Sequence, residues 1–480
     1  MTKNTDPLIT IDRFNQGGLA FSKWSGLENS LYKLTGFDPH SLPGILLTEQ
    51  KMTKDSGTTV TELCRERVNC SNGIQYWFSY ESGKIWQNKN GTYTLVYTTS
   101  AAAGSNICLG AYEYQGYIYY ATESRLHRIA VANADGAAAW SANIALNWAT
   151  FVNTDALFHP MAEVNLVLYI GDGRDIAQVD AGTFSNSALD IATPLRAKCL
   201  GKFGTNLLIG TFVADTVTKT QIINWNTWSN SFTSSDDIPE VGINAFLQAD
   251  NMILVSCGTK GNIYSYNGSQ LELWGKIPGE YSATATGEVY PSSVANKEGQ
   301  ILIGFSNITG NPADQGIYRI GRHSNSYDYI IDFPYPTSER SGSEFVTTGV
   351  NIGGIMVVGS DIYMSVKSGG TAWIDKLDSS NKLSGAYFET RVTTIEREKE
   401  TNFVKSIVAY ADLPANTDID MYLSKNYAAY GSALSKFTDT DRLIVESKDE
   451  ATNFITLQMK VKVTASGNTA AKIESAGIFI

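Results

Sequence analysis

A hairpin-like unit that recurs seven times between residues 72 and 377 is the strongest constraint on what this chain can fold into. Each copy is a short apolar or aromatic strand, a polar turn, and a second strand reading roughly G-x-I-Y-x-Y. Examples are IQYWF at 74–78 followed by GKIW at 83–86, GYIYY at 116–120 followed by RLHRI at 125–129, and MILVS at 252–256 followed by GNIYSY at 261–266. The first strand of each copy is nearly all apolar, so burial on both faces is expected. The second alternates, so one face should meet a neighbour and the other something wetter. Gly, Asn, Asp and Ser between them are hairpin-turn residues. An isolated hairpin is barely stable in water. Repetition at a period of about 40–50 residues therefore implies small sheets that stack on one another, and closing them into a ring leaves only short edges. The fold class read from this is all-β: a β-propeller, with seven copies giving seven blades, followed by a C-terminal β-sandwich. The alternative is one large β-sandwich.

Organisation along the chain gives three parts. Residues 1–58 do not repeat and are too few to bury a core of their own. They are expected to form an arm with one short helix, because Ser25-Gly26-Leu27-Glu28 spells a capping box, Leu27, Leu31 and Leu34 share a helical face, and Gly36 stops it. The arm should lie against something: the outer strand position of the last blade, or a neighbouring subunit. Residues 59–378 are the propeller. Residues 385–480 read as cleaner half-buried antiparallel strands. Ile419, Met421 and Leu423 alternate with polar neighbours, as do Leu457, Met459, Val461 and Val463.

Composition excludes more than it specifies. The net charge of −11 argues against nucleic acid as a sequence-specific partner, because phosphate binding needs clustered Lys and Arg. Were the chain to line a DNA passage, an acidic wall would repel DNA and let it slide. Five cysteines, an odd number with no C-x-x-C pair, suggest neither a disulfide framework nor a zinc site. No apolar signal core opens the chain and no run is long enough for a membrane helix, so synthesis in a cytoplasm without membrane insertion is expected.

Catalytic patterns are scarce. The four histidines, His40, His127, His159 and His323, are scattered, and no P-loop, H-E-x-x-H, G-x-S-x-G or dinucleotide fingerprint is present. No catalytic residue, metal or cofactor is called for, and the chain reads as a non-enzyme. Ser79 to Trp86 resembles the Asp-box turn of sialidase-type propellers with Glu81 in place of Asp; that box is a structural turn. The stretch Gly321 to Gly349 exceeds a normal blade connection and carries Phe333-Pro334-Tyr335-Pro336, so Phe333 and Tyr335 are the candidate binding residues, a longer outer strand being the plainer alternative.

The opening IDRFNQGG at 11–18, GLENS at 26–30 and GFDPHSLPG at 36–44 resemble the start of a family of phage virion proteins. The segment from NFVKSIV at 402–408 to the final IFI is similar to the β-domain that follows propellers in such proteins. The layout of short N-terminal segment, propeller and terminal β-domain resembles the tail nozzle proteins of short-tailed phages. This resemblance implies a structural part of a tailed-phage virion, made in the host cytoplasm, whose terminal segments contact other virion proteins or further copies of itself in a symmetric ring. Two other readings stand beside it: a receptor- or host-glycan-binding tail protein, marked by an exposed aromatic groove, and a glycan-cleaving propeller, marked by a pair of pocket carboxylates roughly 5–10 Å apart.

Overall fold

The computed structural model describes residues 7–479 apart from 27–28, 100–106, 154–155, 214–218, 250–251, 280, 283–285, 310–314, 339, 342–343, 346–348, 395–402, 439–442, 452–455 and 465–466. The chain is all-β, and its greater part is a β-propeller. Antiparallel four-stranded sheets follow one another along residues 64–98, 110–150, 161–190, 196–238 and 243–276, each paired in sequence order. Residues 294–336 give a sixth set, Val294–Lys297, Gln300–Thr309, Gly316–Gly321 and Ile330–Pro336. In the last sheet Val350–Val358, Asp361–Ser368 and Thr371–Lys382 are joined by Gln50–Lys54 from the far end of the chain.

The first strands of these sheets touch in cyclic order, and Val350–Val358 of the last packs on Cys64–Asn69 of the first. Glycines permit this closeness. A methyl group on Gly353 would collide with the backbone carbonyl of Cys64, and one on Gly110 with that of His159. The apolar strands seen in the sequence are the second strands. Gln75–Ser79 is buried throughout, and Tyr117–Ala121, Val167–Asp172 and Asn206–Phe212 nearly so. The third strands are more buried than their alternation suggests; Gly316–Gly321 is buried at every position, because the next strand and the neighbouring sheets cover both faces. Tight turns follow the expected chemistry: Asn90-Gly91 and Ala181-Gly182 have positive φ at both positions, the geometry of a two-residue hairpin.

Both ends of the chain gather in one further sheet and in an extension of the sixth. One runs Phe37–Asp38, Leu46–Thr48, Lys472–Phe479, Phe403–Asp412, Leu443–Ala451, with Pro7–Ile11 also on Lys472–Phe479. The other runs Leu31–Thr35, Ala386–Thr390, Thr456–Thr464, Asp418–Lys425, Ser435–Phe437, with Thr393–Thr394 also on Thr456–Thr464. They share one apolar core that includes Ile9, Leu34, Phe37, Phe388, Met421, Val461, Ile473 and Ile478. Ile419, Met421, Leu457, Met459, Val461 and Val463 are buried in it, as their alternation predicts.

The expected helix after Ser25 is not formed where it can be seen. Leu27 and Glu28 lie outside the described residues, while Leu31–Thr35 is a strand, antiparallel to Ala386–Thr390 and parallel to Ile330–Pro336 through Thr35 and Phe333. Leu31 and Leu34 gain burial and ladder hydrogen bonds there, and those outweigh a weak helical preference. Among the described residues the α-helices are a single turn at Phe14–Gly17 and Ala137–Asn143, neither of them expected from the sequence. The second is an alanine-rich insertion whose Trp140 packs on Tyr76, with ring centroids 5.6 Å apart. Of the two positions open to the N-terminal arm, Gln50–Lys54 takes the outer edge of the last sheet, while Leu46–Thr48 pairs with Lys472–Phe479.

Candidate functional site at the joint between ring and terminal sheets

Side chains of the first strands reach across to one another. Arg67, on the first strand of the first sheet, donates from Nε to the Ile355 carbonyl at 2.6 Å and from Nη2 to the Val294 carbonyl at 3.1 Å, so it spans three inner strands. Arg65 lies between two rings, 3.4 Å from the centroid of Tyr80 and 3.9 Å from that of Tyr290. Lys198 bridges Asn244 at 2.8 Å and Glu288 at 3.0 Å. Burial pushes the Glu66 carboxyl up to about 7, against the opposing pull of Arg67 and Arg65. Charges of both signs therefore meet among these inner strands.

The densest polar cluster lies on the sixth sheet, where it meets the terminal sheets. Arg319 sits in the fully buried strand Gly316–Gly321, a position that is very costly for a charge unless it is matched. Here it is matched threefold. Nη2 is 2.6 Å from Asp332 Oδ2 in the next strand and 3.1 Å from Asp38 Oδ1, and Nη1 is 2.8 Å from Glu49 Oε1. His40 Nε2 lies 3.0 Å from Asp332 Oδ1. Its backbone N–H donates to Asp38 Oδ1 at 2.8 Å, and the Ser41 hydroxyl donates to Asp38 Oδ2. Asp38 and Glu49 respond differently. Burial pushes Asp38 up, but Arg319, Ser41 and the His40 N–H together hold it below the ordinary carboxylate range. At Glu49 burial outweighs Arg319 and the carboxyl is raised. Local sequence sets this up. The Asp38-Pro39-His40-Ser41 turn is read by its own side chains, and Gly321, which has no side chain, lets the His40 ring approach.

Phe333 and Tyr335, proposed as exposed binding residues, belong to this joint and are buried at 1% and 5% exposure. Their strand, Ile330–Pro336, is covered on both sides. The Phe333 ring packs tilted on Tyr318 with centroids 4.6 Å apart, its carbonyl accepts the Gly36 N–H at 2.8 Å, and the Tyr335 hydroxyl is 3.4 Å from Glu49. The premise of exposure therefore fails, and the long outer strand is what forms. Sequence reasoning also missed Arg319, Asp38, Glu49 and Asp332; the one available signal was an arginine inside an otherwise apolar strand.

Elsewhere the structure assigns structural roles. Tyr114, Tyr119 and Tyr120 are buried packing residues. The Asp-box-like turn is held by Glu62, which accepts hydrogen bonds from Ser79 at 2.5 Å, from Ser82 at 2.7 Å and from Lys84 at 2.5 Å. All five cysteines are buried free thiols. Among the described residues no group of three or more His, Cys, Asp or Glu is placed to hold a metal ion, and no helix is long and apolar enough to cross a membrane.

No family model and no curated protein matches the sequence. Among solved structures the chain is similar to virginiamycin B lyase from Staphylococcus aureus at 13% identity and a TM-score of 0.47, covering 68% of this chain and 99% of that one. It is also similar to the Pan2 WD40 domain of Neurospora crassa, at 9% identity and a TM-score of 0.43 over 70% of this chain and 96% of that one. The RRP9 WD40 repeats match at 10% identity and a TM-score of 0.45, over 69% of this chain and 100% of that one. At such identities and scores these likenesses say nothing of chemistry, and the fold rests on the strand pairing above.

Proposed function

We propose that this chain is a non-enzymatic structural protein of a tailed-phage virion, a tail component built as a seven-bladed propeller with a β-sandwich to which both ends of the chain contribute. The observation that carries the reading is the joint. Arg319, Asp332, Asp38, Glu49 and His40 tie the sixth sheet to the segment that enters the terminal sheets. A buried charged cluster whose members answer one another suits a part that must hold one shape under load, and the resemblance of 11–18, 26–30 and 36–44 to phage virion proteins agrees with it. Pairing of the N-terminal strands within their own chain moves the expected subunit contacts elsewhere. Ser435–Phe437 and Leu443–Ala451 end their sheets and carry the row of backbone groups through which copies in a symmetric ring would pair. Mass spectrometry of purified particles tests the proposal. The chain should be present at a fixed multiple per particle, and its absence from particles would refute the reading.

A further inference from the structure

The long connection of the sixth sheet shapes a groove on the rim of the ring. It encloses about 430 Å³ and is lined by Phe21 of the N-terminal segment, Trp274 on the outer strand of the fifth sheet, and Arg322, Tyr327, Asp328 and Tyr329 of the connection. Phe21 is 42% exposed, Trp274, Tyr327 and Tyr329 are half-buried, and Asp328 is exposed. The Arg322 guanidinium lies 4.6 Å from the centroid of Tyr329 and donates to Asn325 Oδ1 at 2.7 Å, which fixes its plane. Across the same connection a second recess of about 360 Å³ shares Arg322, Asn325 and Tyr329, and adds His40, Ser41 and Gln300. One side is thus aromatic and the other polar, and both have the size usual for small-ligand sites.

A ligand that suits both sides has apolar C–H faces and a rim of hydroxyls. Aromatic rings that are half-buried keep one face wet and available for stacking. Amide and hydroxyl side chains opposite supply donors and acceptors in a neutral setting. The charges present are of both signs, Arg322 against Asp328 and Glu298, so no excess of cations favours a phosphate or a sialic acid. We infer that the paired recesses bind a neutral oligosaccharide, one sugar ring lying against Trp274 and Tyr327 and the next reaching Asn325 and Gln300. The site stands apart from the virion role: it is a property of the isolated protein, and particle composition can fail without touching it.

The experiment is an array of neutral and sialylated oligosaccharides probed with the purified full-length chain, with bound glycans then titrated by calorimetry. Neutral glycans should bind, and Trp274→Ala and Tyr327→Ala should each weaken binding by about tenfold or more, Tyr327→Ala at unchanged melting temperature. Trp228→Ala, which removes an 82% exposed side chain outside the groove, should bind as the parent does. Should Trp274→Ala fail to fold, Tyr327→Ala and Asp328→Asn in the surface connection carry the test. No spot above background, binding confined to sialylated glycans, or unchanged affinity in Tyr327→Ala overturns the inference.

Discussion

Arg319 and Asp332 face one another across adjacent strands of the sixth sheet, with Nη2 and Oδ2 2.6 Å apart and the carboxylate wholly buried. The remaining arms of the guanidinium reach Asp38 and Glu49, so one cation answers three carboxylates from two parts of the chain. Replacing Arg319 by Met should therefore destabilise the protein by about 3–5 kcal/mol, because it strands buried negative charge. Melting temperature is the readout. Adding Asp332→Leu to that variant should recover part of the loss, since the two effects are not additive within one network. Full additivity would show the cluster to be idle.

Glu66 predicts a loss of stability as pH rises from about 4.5 towards 7. Burial raises Glu66 from 4.5 to about 7, with Arg67 and Arg65 opposing. Between those two values the unfolded chain has released the proton that the folded chain keeps, so stability falls as pH rises and levels off above the folded value. The decline should be on the order of 2–3 kcal/mol. In Glu66→Gln this decline should vanish from urea unfolding curves measured between pH 4.5 and 8.

Two histidines act in the opposite sense. Burial lowers His127 from 6.5 to about 4, and Arg125 adds to this. His127 Nδ1 accepts the Asn147 N–H at 3.0 Å, a bond that exists only while that nitrogen is unprotonated. His159 is lowered to about 4 by burial, partly offset by the carbonyls of Gly171 and Glu123 that face its ring. Their contribution is complete above pH 6.5 and should drain away as pH falls towards 4. Proton uptake on unfolding, followed by titration calorimetry at pH 5 to 6, should be smaller by about one proton in His127→Asn.

Close approach around the ring makes Gly353 sensitive. A methyl group there meets the backbone of Cys64 in the neighbouring sheet, and backbone yields less readily than a side chain. Gly353→Ala should lower stability by about 1–3 kcal/mol, whereas Gly359→Ala, which meets nothing within 4 Å but has φ +59°, should show only the smaller cost of its backbone conformation. Equal effects in parallel melts would remove the steric explanation.

Val461 lies at the centre of the terminal core, between Phe388 and Met421 on the flanking strands. Val461→Asp should unfold the terminal sheets, because an unpaired buried carboxylate costs several kcal/mol. Circular dichroism melts should show the loss; an unchanged transition would mean the side chain does not face the core.

How much of this could be read beforehand depended on how each strand is buried. The second strands of the ring are covered on both faces and stand out as apolar runs such as 253–257. The first strands line the axis, and Arg65-Glu66-Arg67 looks like surface until the neighbouring sheets are in place. Outer strands such as Ser234–Ile238, with only Ile238 fully buried, carry almost no pattern. Gln50–Lys54 has Met52 as its single apolar residue, so its partner specifies it more than its own sequence does. Leu31 and Leu34 were ambiguous for a related reason: a spacing of three suits a helix, and only the strands on either side decide against it. The joint was illegible because it is made of polar residues from distant positions, and the aromatics of 333–335 look exposed only while the covering segment is ignored.

Gln50–Lys54 leaves the ribosome long before Thr371–Lys382, the strand it pairs with. At translation speeds of about 5–20 residues per second, the gap is roughly 15–60 seconds. Throughout that interval the nascent ring is an open arc whose two ends can each zip onto a sibling polypeptide. Crowded polysomes would thus favour swapped or concatenated products, and a slow stretch of codons after residue 382 would give each molecule time to close upon itself.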